Sequence, residues 1–251
     1  MTPYAGLMYS FGGHYSLYAS YADIYLAQGS ALEQSPGHFL GPIRGSNVEA
    51  GVKGEWRDGA LNASLAAYRI EQSNLPIATT PPTNQITGAP KCCFDGESNH
   101  SRGVDADVSG QVLPGWRLGV GYSYDINGST ATHPLSTVTP RHLLKAWTNW
   151  RLPGDLRPWE IGGGLHAQSR TTTSYTAICI DAPNFLCPPA VAVAPSYAVF
   201  DLRAAFNVDL HWRVALSVNN VLDKRYYESI DSFQGWYGRP RNWLLRIDGR
   251  Y

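Results

Sequence analysis

Apolar and polar residues alternate with a period of two along most of the chain. Between residues 47 and 57, Val48 and Trp56 share one side of an extended backbone, while Glu49 and Lys53 share the other. This alternation is typical of strands that have one apolar and one polar face. It predicts eleven strands, near residues 3–11, 14–25, 47–57, 60–72, 100–110, 115–126, 141–152, 158–170, 196–208, 211–221 and 240–251.

The connections between these strands alternate between short and long. The short ones contain the Gly, Pro and Asp residues that tight turns need, and lie at 11–13, 57–59, 113–115, 152–155 and 208–210. The long ones are rich in Pro, Gly, Ser, Thr and Asn, and lie near 26–46, 73–99, 127–140, 171–195 and 222–239. A half-buried sheet in a soluble protein also alternates, but short turns at one end and long loops at the other are the outer-membrane barrel pattern.

Aromatic residues concentrate near the short turns and the end of the chain. The sequence has 15 Tyr and 8 Trp, which favour positions with one apolar and one wet side. An interfacial girdle is therefore predicted, with scattered core aromatics as the alternative. Its members are Trp56, Trp116, Trp150, Trp159, Phe206, Trp212 and Tyr251.

Together these patterns predict an all-β fold, an antiparallel transmembrane β-barrel with about eleven strands in residues 1–251. No stretch approaches the roughly 20 apolar residues of a membrane helix. The formal charge is zero, so nothing in the composition favours a nucleic-acid partner. Because bacterial single-chain barrels use even strand numbers, and no export signal follows Met1, we expect further strands upstream of this chain.

Several segments, in order, resemble the carboxy-terminal half of the barrel in TonB-dependent ferric-siderophore receptors of the ferripyoverdine and ferric-coprogen-like group. The last long connection carries the most specific of them, VNNVLDKRYY at Val218–Tyr227, before the aromatic-terminated last strand. The other segments are YSLYASY at Tyr15–Tyr21, NVEAGVKGE at Asn47–Glu55, LNASLAAYRIEQ at Leu61–Gln72, GVDAD at Gly103–Asp107, PRHL at Pro140–Leu143 and YGRPRN at Tyr237–Asn242.

The resemblance implies a barrel of 22 strands in the outer membrane, closed by an amino-terminal plug domain. Such receptors import ferric siderophores with energy that the TonB complex delivers to a motif near the amino terminus. We expect the plug, that TonB box and the first barrel half to be absent from this chain, so the energy-coupling complex would act only through a missing region. Tyr251 is expected to be the signal for the barrel-assembly machinery, where the family usually has Phe; the alternative is the plain end of an edge strand.

Ligand contacts are expected from the lumen wall and the long loops. Aromatic rings suit the flat, amphipathic groups of catecholates and hydroxamates, and arginines suit anionic ones. No protein-bound cofactor or metal is expected, since the siderophore encloses the iron. The candidates are Tyr25, Phe94, Tyr175, Phe185, Phe233, Trp236, Tyr237, Arg239 and Arg241, with loop packing as the alternative for each.

All four cysteines lie in long connections. Cys179 and Cys187 are close enough in sequence for a disulfide, which an oxidising exterior favours. A metal site is the alternative for this pair, although no suitably spaced His accompanies it. Cys92 and Cys93 are adjacent, and their state stays open.

No catalytic motif stands out, so an enzyme is not predicted. The alternation puts Ser123, Asp125 and His166 at lumen-facing positions of their strands, but nothing in the sequence places them together. The Val218–Tyr227 segment is interpreted as structural, with Asn219 and Asn220 capping backbone groups where the strand ends. The alternative to a receptor is a truncated, non-transporting fragment, or a passive pore or structural barrel.

Overall fold

The protein is an all-β chain built on one antiparallel sheet. The structure, a computed structural model, describes residues 2–29, 32–35, 38–78, 94–129, 139–175, 190–230 and 234–250. Within them it has one short 3₁₀ helix, Gly154–Leu156, and no helix that is long and apolar enough to cross a membrane. The strands are β1 Tyr4–Phe11, β2 Tyr15–Leu26, β3 Glu33–Ser35, β4 His38–Phe39, β5 Ile43–Trp56, β6 Leu61–Ala78, β7 Phe94–Leu113, β8 Trp116–Ser129, β9 His142–Arg151, β10 Trp159–Gln168, β11 Thr171–Tyr175, β12 Ala190–Ala194, β13 Tyr197–Asn207, β14 Trp212–Asn219, β15 Tyr227–Ile230, β16 Gly235–Tyr237 and β17 Asn242–Gly249.

Eleven strands form a single meander in the order β1-β2-β5-β6-β7-β8-β9-β10-β13-β14-β17. Each of them pairs antiparallel with the next long strand in the chain. The predicted eleven-stranded antiparallel sheet is therefore confirmed. The other six strands form three small hairpins, β3-β4, β11-β12 and β15-β16, inside the predicted long loops.

The register gives the sheet two chemically different faces. Paired residues lie on the same side, so the pairs Tyr18–Gly51 and Glu49–Tyr68 place these four residues together on what we call the polar face. The alternate positions form the apolar face, whose large side chains are not covered by protein. Among them are Leu65, Leu202 and Ile247, which are 49%, 56% and 61% exposed. An apolar surface of this extent is expected where lipid, rather than water, is the solvent.

The apolar face has the height of a bilayer's hydrocarbon region. On β6 it runs from Leu61 to Ala67, and the first charged side chain on that face is Arg69. The eight steps from Leu61 to Arg69 span roughly 26 Å of strand at about 3.3 Å per residue. At a strand tilt of about 40° this is roughly 20 Å along the membrane normal, comparable to the apolar band of about 25 Å in outer-membrane barrels.

The predicted girdle of aromatic residues lies on the apolar face, beside the short turns. Its rings touch across neighbouring strands, with centroids 5.9 Å apart for Trp116 and Trp150 and 4.8 Å apart for Trp159 and Phe206. Tyr15 extends the girdle by packing edge-on against Trp56 at 5.7 Å. Tyr251, predicted to close the girdle, lies outside the described residues.

The short turns have the backbone that tight hairpins require. Gly12 and Gly13 have φ of 60° and 71°, while Arg57, Asp58 and Gly59 form a run at 57°, 54° and 82°. The Arg57 guanidinium donates to the carbonyls of Gln111 and Val112, so it joins this turn to the next one.

The prediction of an irregular loop at 73–99 is wrong at both ends. β6 continues to Ala78, and β7 begins at Phe94. A break in the register between Gln72 and Leu75 hid this continuation, because it interrupts the period of two. Asn74 lies in the break at φ 63° and donates to the Pro42 carbonyl at 3.1 Å.

Asn220 closes the last long loop. Its Nδ2 donates to the carbonyls of Lys224 and Arg239, each at 2.9 Å, and its Oδ1 accepts the Lys224 N–H at 2.8 Å. The residue is 2% exposed and has φ 52°, a conformation that Asn tolerates better than most residues. One buried amide therefore joins the start of the loop to its end, and the predicted capping role of Asn220 is confirmed. The same prediction for Asn219 is wrong, because its amide donates to the Asn242 side chain and not to a backbone group.

The two faces predict opposite outcomes for the same substitution at adjacent positions. Leu65→Arg places a charge in the middle of the apolar face, and it should lower the stability of the inserted barrel by about 2–4 kcal/mol. Ser64→Arg adds the same side chain on the polar face, where Ser64 is paired with Lys53 and Asp107, and should cost far less. Urea unfolding in lipid vesicles, with heat-modifiable gel mobility, measures both. Equal losses would contradict the assignment of the faces.

Asn220→Ala should lower the free energy of unfolding by about 2–4 kcal/mol, because three buried hydrogen bonds and a favourable backbone conformation are lost together. Asn220→Gly keeps the conformation and should lose less. Asn219→Ala is the neighbouring control, since Asn219 makes a single side-chain bond, to Asn242 at 2.8 Å. Urea unfolding and limited proteolysis of the 220–240 segment report the effects, and an Asn220→Ala variant as protease-resistant as the control would refute this role.

Candidate functional site

The polar face carries hydrogen-bonded charged groups along its whole width. On β2, the Tyr18 hydroxyl donates to Glu49 at 2.6 Å, and the Lys53 ammonium lies 4.7 Å from the centre of the Tyr18 ring. The ring lies over Gly51, where a Cβ atom would be only 2.7 Å from the nearest ring carbon. Glycine at this position therefore allows the tyrosine to lie flat along the wall.

Asp125 organises a second polar group on β6, β7 and β8. Its Oδ1 accepts hydrogen bonds from Ser101 at 2.6 Å and from Tyr68 at 3.1 Å, and its Oδ2 accepts one from Asn127 at 2.7 Å. These three bonds fix the position of the carboxylate on the polar face. Because His166 lies two strands away, on β10, paired with Lys145, the structure does not assemble Asp125 and His166 into a catalytic pair.

Glu160 holds the short-turn end of the polar face. Arg151 donates to Oε1 at 3.0 Å, and Arg213 donates to Oε2, so one carboxylate connects β9, β10 and β14. Glu160 is 8% exposed. A charge this buried requires its partners, and we assign this network to the integrity of the wall.

A ring cluster lies at the opposite, long-loop end of the polar face. The rings of His166 and Tyr197 meet edge to face at 5.5 Å, and Tyr197 packs on Tyr226 at 4.2 Å. His166 Nε2 and the Tyr197 hydroxyl are buried, with no hydrogen-bond partner within the described residues. Burial, together with the carboxylates of Glu228 and Asp201, raises the pKa of Tyr226, so its hydroxyl stays neutral.

The β15–β16 hairpin forms the outer edge of this cluster and contacts the β11–β12 hairpin. The Tyr227 and Tyr237 rings stack at 4.5 Å, with their hydroxyls 2.9 Å apart. This hydrogen bond is the main reason that the pKa of Tyr227 is raised. Trp236 and Tyr237 remain 46% and 69% exposed, so the hairpin presents aromatic surface to solvent.

The predicted ligand residues fall into different surroundings. Trp236, Tyr237 and Arg239 lie together on or beside the β15–β16 hairpin. Tyr25 lies on the same side of β2 as the apolar face, opposite Arg44, so it does not share a wall with them.

Phe94 is the first residue of β7, far along the sheet from that hairpin. Arg241 serves the loop itself, since its N–H donates to Asp223 at 3.1 Å.

Other predicted residues have no described side chain. Tyr175 belongs to β11, of which the backbone alone is described at this position. Outside the described residues lie Phe185, Phe233 and all four cysteines, Cys92, Cys93, Cys179 and Cys187, so the predicted disulfide stays a prediction.

Sequence reasoning missed the ring cluster of His166, Tyr197 and Tyr226. From the sequence, His166 was placed only on a lumen-facing strand, whereas in the structure it is half-buried against Tyr197. The available signal was parity, meaning the odd or even position along a strand that decides its face. By this rule His166 and Tyr197 occupy polar-face positions at the long-loop ends of adjacent strands.

Comparisons with known proteins agree with this architecture. Residues 1–221 match the family model described as TonB dependent receptor-like, beta-barrel. The ferric-pyoverdine 358 receptor of Pseudomonas putida is 33% identical over 243 residues, which cover 96% of this chain and 28% of that receptor. The ferrioxamine B receptor of Salmonella typhimurium is 27% identical, over 93% of this chain and 31% of that receptor.

A solved structure extends the likeness to three dimensions. The ferripyoverdine receptor of the outer membrane of Pseudomonas aeruginosa, bound to ferripyoverdine, superposes with a TM-score of 0.89 at 30% identity, covering 99% of this chain and 32% of that one. The chain thus spans less than a third of the length of these relatives. With its meander of eleven strands and its two faces, the chain belongs to the TonB-dependent receptor-like β-barrel family.

Proposed function

We propose that this chain is the carboxy-terminal part of an outer-membrane receptor barrel that binds a ferric siderophore and imports it. Family membership supports this proposal, and so do relatives named as receptors for ferric pyoverdine and ferrioxamine B. In this proposal the plug domain, the TonB box and the other barrel strands lie outside these 251 residues. The TonB complex would act through those parts, and the barrel-assembly machinery would recognise Tyr251.

The observation that carries the proposal is the aromatic surface at the long-loop end of the polar face. Trp236 and Tyr237 are exposed, and the neighbouring Tyr226 is half-buried against Tyr197, so the surface offers rings and hydroxyls on a supported base. Rings of this kind bind the flat, amphipathic chelating groups of siderophores, and the nearby Arg239 suits an anionic one. Iron then enters as cargo, enclosed by the siderophore, and the chain itself is assigned no catalytic step.

Ligand binding by the full polypeptide that carries these residues tests the proposal. When the polypeptide is purified in mild detergent, addition of a ferric siderophore should quench its tryptophan fluorescence. Ferric pyoverdine is the first probe, with ferrioxamine B and a ferric catecholate as comparisons. Saturable binding of one of them, with no response to the iron-free ligand at the same concentration, is the expected result.

Trp236→Ala should weaken that binding about tenfold, which corresponds to about 1.4 kcal/mol of lost contact. Trp243→Ala is the matched control, because Trp243 is 66% exposed on the apolar face of β17 and should leave affinity within about twofold. Equal affinities for both variants would remove the hairpin from the ligand site.

A folded barrel that binds none of the three probes would contradict the receptor proposal. Conductance in planar bilayers then distinguishes the alternatives, because a passive pore gives steady ion flow, whereas a non-transporting fragment gives none.

A further inference from the structure

Three arginines cluster at the long-loop end of the apolar face, where a lipid-facing surface should carry few charges. Arg44, Arg69 and Arg102 lie on the adjacent strands β5, β6 and β7. Each occupies an apolar-face position, since Arg44 continues the parity of Val48 and Arg69 is paired with Val48 directly. All three are exposed.

Two of the arginines lie opposite each other, where their positive charges repel. Arg69 and Arg102 are direct register partners, and like charges directly opposite each other destabilise a sheet. Glu71 pairs with Arg69 at 2.5 Å. Within the described residues, no hydrogen bond or ion pair reaches the guanidinium of Arg44 or Arg102.

The other titratable groups on this face do not neutralise the cluster. Asp23 and Glu71 are its carboxylates, Asp23 accepts the Tyr21 hydroxyl at 2.5 Å, and His100 is paired with Glu71 across the strands. Three arginines against two carboxylates leave positive charge in excess. Among the described residues, an anion would balance this excess charge.

A groove of about 670 Å³ lies among these side chains. Besides the arginines, its lining includes Ser46 and His100, which supply a hydroxyl and a ring N–H donor. Tyr21 and Ser73 also line it, but their hydroxyls already donate to Asp23 and to the Arg44 carbonyl. Guanidinium groups with neighbouring hydroxyls are the donor set that phosphate oxygens prefer, and two arginines can each bind a phosphate through two parallel hydrogen bonds.

The height of the cluster identifies the source of the anion. Arg69 follows Ala67 as the next residue on the apolar face of β6, so the cluster begins where the hydrocarbon region ends. The apolar-face positions of β10 and β13 carry no charged residue along their described lengths. The charges are thus a local feature of three strands and not a ring around the whole rim.

We propose that Arg44, Arg69 and Arg102 bind the phosphate groups of a phosphorylated lipid in the outer leaflet. The lipid's acyl chains would lie along the apolar face below, and its phosphates would separate Arg69 from Arg102. The inference needs the barrel in its membrane and does not depend on which siderophore, if any, the receptor binds.

Native mass spectrometry of the full polypeptide in detergent, titrated with bisphosphorylated lipid A, tests the site. We expect a saturable one-to-one complex that Arg69→Gln/Arg102→Gln weakens at least tenfold. Arg69→Lys/Arg102→Lys keeps the charge without the paired hydrogen bonds and should lie between the two. Arg225→Gln, an exposed arginine of the last long loop, and Arg157→Gln, beside the 3₁₀ helix at the opposite end of the barrel, are controls that should bind as the parent does.

Lipid A stripped of its phosphates should bind at least tenfold more weakly than the bisphosphorylated form. Inorganic phosphate at millimolar concentration should not displace the lipid; if it does, the groove is a site for free phosphate and the proposal is wrong. Equal binding by the Gln pair and the parent, with unchanged heat-modifiable mobility, would also overturn it. Unchanged siderophore binding by the Gln pair is expected, so failure here is distinguishable from failure of the receptor proposal.

Discussion

The structure depends on one constraint, the pairing of every backbone N–H and C=O between strands where no water is available. A bilayer permits this arrangement only as helices or as strands that pair on both sides. Here the solution is an antiparallel ladder from Tyr4 to Gly249, in which nine strands pair on both sides and β1 and β17, at its ends, each have one partner. Once the ladder is fixed, successive side chains point to opposite faces. Each strand therefore has apolar residues toward the lipid and polar residues on the other side.

Different interactions stabilise the connections at the two ends of the ladder. At the short-turn end, backbone conformation and aromatic contacts stabilise the hairpins, as the turn at Arg57–Gly59 and the Trp116–Trp150 contact show. At the long-loop end, the connections need their own internal order, which buried polar side chains such as Asn220 supply. The aromatic surface near Trp236 is therefore held by the loop's own hydrogen bonds together with the packing of Tyr226 on Tyr197 of β13.

Period-two alternation was sufficient to predict the eleven strands and the girdle, because both depend on residues close in sequence. It failed where pairing is set by distant contacts. The register break at Asn74 concealed the upper part of β6, and the burial of His166 depends on Tyr197, from a strand 31 residues later in the chain. Tyr25 shows the same limit at a single residue, since its parity, and not its aromatic ring, decides which face it joins.

Parity also explains why the charges on the apolar face are informative. A lysine or carboxylate on the polar face, such as Lys53 or Asp105, needs no special explanation, because that face is wet along its whole length. The same charge on the other face is tolerated only above the hydrocarbon region, so Arg69 marks where that region ends. Its direct partner Arg102 adds a second positive charge at the same height, although like charges directly opposite each other destabilise a sheet. This unfavourable pairing is the reason to look for an anion between the two side chains.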